Sequence, residues 1–140
     1  MLLKSYQTKL VDSSDSLEDV FAEVISELPE RAIVIVASKI VATCENRFVP
    51  KKTGTKAEKY ALVQQESEFY LPATASKYEV MLTVKGNWMF ANAGIDESNA
   101  EGQYILWPQD PQKSANQIWH FLRRKYGVRE VGVTISDSRS

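Results

Sequence analysis

The chain has 140 residues and a mass of 15.8 kDa, a formal net charge of −1, one cysteine and one histidine. That length builds a real core without disulfide staples. The near-neutral charge supplies no long-range field toward nucleic acid or an anionic membrane, and a lone cysteine excludes an internal disulfide and a thiolate zinc cluster.

The first residues hold no apolar run of signal-peptide length, and no stretch of about 18 apolar residues occurs, so a cytoplasmic protein is expected. Residues 2–11 read as an extended segment before a turn at Asp12, Ser13 and Ser14. Ser16 is placed as a helix N-cap, with Glu18 and Asp19 where the macrodipole favours negative charge. Leu17, Val20, Phe21, Val24, Ile25 and Leu28 form an apolar stripe, so the helix is expected to run until Pro29 stops it. The short β-branched run Ala32–Ala37 predicts a central strand buried on both faces. Ser38 and Lys39 emerge at its C-terminal end, the edge where open α/β sheets bind ligands. Ser38 also reads as a simple helix N-cap, Lys39 as a solvated charge and Cys44 as a half-buried filler.

Residues 50–55 form a basic loop with Lys51, Lys52 and Gly54, followed by Lys56. The Gly-Lys-Ser/Thr of a Walker A motif is absent, so the loop is expected to face solvent. Residues 56–68 predict a helix burying Tyr60, Leu62 and Val63, with Phe69 on the same side. A strand over 79–85, a turn at Gly86-Asn87 of the glycine-first kind and a returning strand Trp88–Ala91 predict a hairpin. A short strand over 104–107 precedes a helix with Asp110 as N-cap, Pro111 at the first helical position and Gly127 as C-terminal cap. Ala115, Ile118, Trp119, Leu122 and Tyr126 give its apolar face, and His120 falls off it. The last strand, Val131–Ser136, delivers Asp137 and Ser138. The pattern predicts an α+β, mixed α/β fold: a single domain over 1–140 with a mixed sheet flanked by about three helices.

Between the apolar runs Trp88-Met89-Phe90 and Tyr104-Ile105-Leu106-Trp107 lies the polar stretch Asn92-Ala93-Gly94-Ile95-Asp96-Glu97-Ser98-Asn99. It reads either as an ordinary hydrogen-bonded turn or as a binding loop anchored at both ends. With Ser38 and Asp137-Ser138, it makes three polar clusters at strand ends. Aspartates with hydroxyls or amides on separate loops are the donor chemistry of a Mg²⁺ or Mn²⁺ site.

Four stretches, in order and spanning nearly the whole chain, carry a resemblance. They are Val36-Ala37-Ser38-Lys39-Ile40-Val41 with Glu45-Asn46-Arg47; the stretch from Asn92 to Asn99; Trp107-Pro108-Gln109-Asp110-Pro111-Gln112-Lys113-Ser114-Ala115-Asn116; and Ile135-Ser136-Asp137-Ser138. They resemble the γ-glutamyl ligases of coenzyme F420 biosynthesis and their bacterial folate-metabolism relatives. Tyr70-Leu71-Pro72 with Ser76-Lys77-Tyr78 is closer to the bacterial branch.

The resemblance implies an acid–amino-acid ligase that spends GTP or ATP, releases GDP or ADP, and joins a cofactor carboxylate to L-glutamate through an acyl phosphate. By the same resemblance Asp96 and Asp137 hold Mg²⁺ or Mn²⁺, Ser138 stands where the family has threonine near a second cation, and Ser38 and Asn99 contact the nucleotide. No catalytic side chain beyond the metal ligands is assigned, and Gly94 is left a backbone role and Glu97 that of a solvated neighbour. The acceptor is expected to be a pteridine or deazaflavin and the assembly a homodimer, with no nucleic-acid or membrane partner. Thr43 stands where the family often has lysine, and the segment Gln7-Thr8-Lys9-Leu10 replaces the archaeal Gly-Ile-Pro-Glu. Family members continue beyond the Asp-Ser pair, so the chain is expected to be the N-terminal portion of such an enzyme. The alternative is a non-catalytic nucleotide- or metal-binding or assembly module of the same fold.

Overall fold

In the computed structural model, which describes residues 2–97 and 102–137, helix α1 (Leu17–Val24) starts where Ser16 caps it. The Ser16 hydroxyl accepts the Asp19 N–H at 3.1 Å and donates to the Asp19 carboxylate at 2.6 Å, closing the first turn. The helix ends earlier than predicted, because Ile25 leaves helical geometry at φ −101° and ψ 105°. Proline disfavours a helical predecessor, and the chain unwinds before Pro29. Ile25 and Leu28 still pack on the core from this non-helical stretch, so their spacing imitated a longer helix.

The α+β class expected from the pattern holds, with four α-helices and both parallel and antiparallel ladders among the described residues. These elements form two compact units, residues 1–47 with 108–140, and residues 48–107.

In the first unit β1 (Ala32–Ala37) pairs in parallel with β7 (Val131–Ser136), in a register running from Ala32 opposite Val131 to Ala37 opposite Ser136. Burial on both faces is not what β1 shows: Ile33 and Ile35 are 71% and 64% exposed, while Val34 and Val36 join the core. Side chains alternate along a strand, so an unbroken β-branched run suits one-sided burial as well, and only the packed layers decide. Helix α2 (Ser38–Cys44) follows with no linker. Its end is a Schellman motif: Asn46 sits at φ 56°, its N–H bonds the Thr43 carbonyl at 3.0 Å, and the Arg47 N–H bonds the Ala42 carbonyl at 2.9 Å.

Helix α4 (Pro111–Tyr126) carries the caps its sequence predicts: Asp110 accepts the Lys113 N–H at 2.9 Å, and Gly127 adopts φ 68°. Ile118, Phe121 and Leu122 are buried with Phe21, Ile25, Val36 and Val41, and His120 is exposed as expected. Trp119 ties α4 to β7 through its indole N–H on the Val131 carbonyl at 2.9 Å, with the Arg123 guanidinium 4.4 Å from its ring.

In the second unit β2 (Phe48–Pro50) pairs antiparallel with β6 (Gln103–Ile105), and β3 (Phe69–Leu71), β4 (Leu82–Lys85) and β5 (Trp88–Ala91) form an antiparallel meander. Both turn residues, Gly86 and Asn87, have positive φ, so the hairpin has the turn that demands this twice rather than the glycine-first kind. Helix α3 (Lys56–Glu66) buries Val63 but not Phe69, which is exposed at the start of β3. Val63, Met81, Ala93, Ile95, Tyr104 and Leu106 make this unit's core. Among the described residues no helix is long and apolar enough to cross a membrane.

Candidate functional site

The stretch beginning at Asn92 is a left-handed turn, with Asn92, Ala93 and Gly94 at φ 52°, 51° and 68°. Non-glycine residues hold that conformation only where surroundings over-determine it. Here they do. The Asn92 N–H bonds the Met81 carbonyl at 2.8 Å, the Asn92 side-chain oxygen accepts the Met81 N–H at 3.1 Å, and the Ala93 N–H bonds the Thr83 hydroxyl at 2.9 Å. Thr83, itself buried, donates its hydroxyl hydrogen bond to the Phe90 carbonyl at 2.6 Å. Gly94 is required for a second reason: a Cβ there would lie 2.7 Å from Trp107 Cε3.

This turn delivers Asp96, whose backbone N–H and carbonyl both bond Ile105, at 2.9 and 2.8 Å. The Asp96 side chain thus leaves from a pinned backbone. Glu97, expected to be a solvated neighbour, is exposed and also bridges Lys59 at 2.6 Å and Lys51 at 3.3 Å. The Lys59 hydrogen bond holds its carboxyl below the usual carboxylate range.

The basic loop after β2 faces solvent as expected, with residues 52–56 exposed, and is organised by one carboxylate. Glu58 accepts the N–H groups of Lys52, Thr53 and Gly54 at 2.6, 2.8 and 2.7 Å, and the Thr53 hydroxyl at 2.9 Å. Backbone donors converging this way form an anion nest. The nest is already filled by Glu58, whose pKa falls to about 2 through these bonds, the Lys52 N–H foremost.

In the first unit Ser38 and Asp137 each follow the last residue of a paired strand, since Ala37 and Ser136 are in register. Both therefore emerge at one edge of the parallel pair. Ser38 is buried and lies inside the first turn of α2; Ala37 occupies the cap position, so the N-cap reading of Ser38 does not hold. Asp137 is exposed. Asp96 belongs to the other unit. Asn99 and Ser138 lie outside the described residues. Among the described residues no three His, Cys, Asp or Glu side chains form a metal-holding cluster.

Sequence reasoning gave Glu45 and Ser114 no individual role, yet they lock two of the motif stretches together. The Glu45 carboxylate accepts the Ser114 hydroxyl at 2.6 Å and the Gln109 N–H at 2.8 Å. Beside them a cavity of about 460 Å³ is lined by Phe21, Cys44, Glu45, Ser114, Ile118 and Phe121. Burial, then Asp15 and Glu45, pushes the Cys44 thiol up to about 11, which fits a filler and not a nucleophile.

An α+β chain with polar loops pinned at strand ends defines a fold class and not yet a family. The family model described as F420-0:Gamma-glutamyl ligase matches residues 6–140, and the chain belongs to that family. Among its relatives, the coenzyme F420:L-glutamate ligase of Methanopyrus kandleri is 29% identical over 144 residues, covering 92% of this chain and 56% of that protein. The enzyme of the same name from Methanosarcina mazei is 30% identical, covering 92% and 55%. That from Methanocaldococcus jannaschii is 31% identical over 105 residues, covering 75% and 41%. The chain thus spans about half the length of the curated relatives it matches.

Proposed function

We propose that the chain acts in a nucleotide-dependent γ-glutamyl ligase of the cytoplasm, joining the carboxylate of a pteridine or deazaflavin acceptor to the amine of L-glutamate. GTP or ATP transfers its terminal phosphoryl group to the acceptor carboxylate, the glutamate amine attacks the acyl phosphate, and an amide and phosphate result. The observation that carries this reading is the family match over 6–140, which includes all four motif stretches. The pairing of Ser38 and Asp137 at one strand edge supports it.

Asp96 and Asp137 each offer hard oxygen donors, the chemistry that suits Mg²⁺ or Mn²⁺, and each would be a cation ligand by the family likeness, with Ser138 near a second cation. When bound, such a cation offsets negative charge on the transferring phosphoryl group. Asp96 contributes from a backbone fixed in both directions by Ile105. Ser38 and Asn99 would contact the nucleotide.

The test is release of nucleoside diphosphate by the full reading frame supplied with Mn²⁺, nucleotide, L-glutamate and each acceptor class. Turnover lost in Asp96→Ala supports the reading. Calorimetric binding of Mn²⁺-nucleotide without turnover assigns the chain to the binding-module alternative, and absence of both rejects the nucleotide site.

A homodimer is proposed on the same footing. Phe69, Leu71, Leu82 and Met89 share one face of the β3–β4–β5 meander and are all exposed, an apolar patch of the kind that marks interaction surfaces. Sedimentation is expected to give a dimer mass that falls to a monomer in Met89→Lys; a monomeric wild type would refute it.

A further inference from the structure

We propose that Lys51 and Lys59, backed by the buried Tyr104 phenol, form a binding site for a ligand carboxylate, in which Glu97 is a built-in occupant that the ligand displaces. The two oxygens of the Glu97 carboxylate are used separately: Oε1 meets Lys59 at 2.6 Å and Oε2 meets Lys51 at 3.3 Å. Two ammonium groups against one carboxylate leave the cluster with surplus positive charge. The lysines are the sheltered members, with side chains 24% and 19% exposed, whereas Glu97 is 43% exposed. The occupant can therefore swing toward solvent while the cationic wall stays in place.

Tyr104 supplies the independent observation. It is only 1% exposed, and among the described residues its hydroxyl has no hydrogen-bond partner. Buried hydroxyls are paired in the great majority of cases, so an orphan of this kind calls for an explanation. The Lys51 ammonium lies 5.0 Å from the Tyr104 ring centroid, which places the phenol beside the same cation that holds Glu97. Its pKa is raised first by burial and then by Glu58 and Glu97, so the hydroxyl stays protonated as a donor and lies within the field of both carboxylates.

A carboxylate fits better than a phosphate. The neighbouring backbone donors that could cradle phosphate, on Lys52, Thr53 and Gly54, are already taken by Glu58. What remains is a pair of ammonium groups that already holds a planar carboxylate through its separate oxygens. This site does not depend on the ligase reading, because binding is measured without turnover.

Glutarate and inorganic phosphate are titrated by calorimetry into the full chain and into Glu97→Gln. Removing the competing carboxylate is expected to tighten glutarate binding roughly tenfold, as for a site occupied internally about nine times in ten. Adding Lys59→Met or Tyr104→Phe to Glu97→Gln is expected to weaken glutarate again, with thermal melts confirming that each variant is folded. If Lys59→Met does not fold, Lys51→Gln takes its place. Three results would overturn the proposal: no saturable glutarate binding by Glu97→Gln, phosphate bound more tightly than glutarate, or affinity indifferent to both added substitutions.

Discussion

Replacing Gly94 by alanine tests whether the left-handed turn at Asn92 is a constraint of packing as well as of backbone. Gly94 sits at φ 68°, where a Cβ costs about 1–2 kcal/mol. The added methyl would also meet Trp107 at 2.7 Å from Cε3, 3.2 Å from Cδ2 and 3.3 Å from Cβ. Trp107 cannot simply rotate away, because its ring packs against Phe90 with centroids 5.0 Å apart. Overpacking of this kind costs a further ~1–3 kcal/mol. A loss near 3 kcal/mol is therefore expected, roughly a hundredfold in the folding equilibrium. Urea unfolding followed by circular dichroism measures it. A loss below about 0.5 kcal/mol, the range of an ordinary surface substitution, would refute the reasoning.

Three more outcomes follow from local chemistry. The Glu58 pKa lies near 2 in the folded chain against an ordinary 4.5, so its contribution is fully present above about pH 4.5 and is lost as pH falls toward 2. Acid unfolding monitored by circular dichroism should therefore be less steep in Glu58→Gln than in wild type between those values, and identical profiles would contradict the nest. Cys44, with its thiol near 11, should label slowly with an alkylating reagent at pH 7 and faster as pH rises; rapid labelling at neutral pH counts against its raised pKa. Asp110→Ala removes the Lys113 N–H partner at the start of α4 and should cost about 1 kcal/mol in chemical denaturation, with Asp110→Asn recovering most of it.

Several features were legible before any coordinates because their partners are neighbours in the chain. Ser16 bonds Asp19, Asp110 bonds Lys113, and Gly127 ends α4 in the left-handed conformation that glycine permits. The Gly86-Asn87 turn was legible for the same reason, although its type was not, since Asn87 also crosses to positive φ. The length of α1 misled because Ile25 and Leu28 reach the core from extended chain, and apolar spacing records burial without recording backbone shape. Likewise Phe69 looked like part of the buried side only while the helix was expected to run to residue 68.

The candidate site divides along the same line. Composition and motif order marked Asp96, Asp137 and Ser38 as polar groups at strand ends, and the strand pairing places Ser38 and Asp137 at one edge. Sequence by itself determined the caps of α1 and α4, the position of the hairpin turn, the two six-residue strands and the family, each written in bonds a few residues long or in motif order. Tertiary structure alone decided which face of β1 is covered, and it alone joined Glu45 to Ser114, 69 residues away, and Glu97 to Lys59, 38 residues away. A charge or an apolar side chain states only what it needs. Which distant group meets that need is settled when the layers pack, because packing chooses among partners that local propensity leaves equivalent.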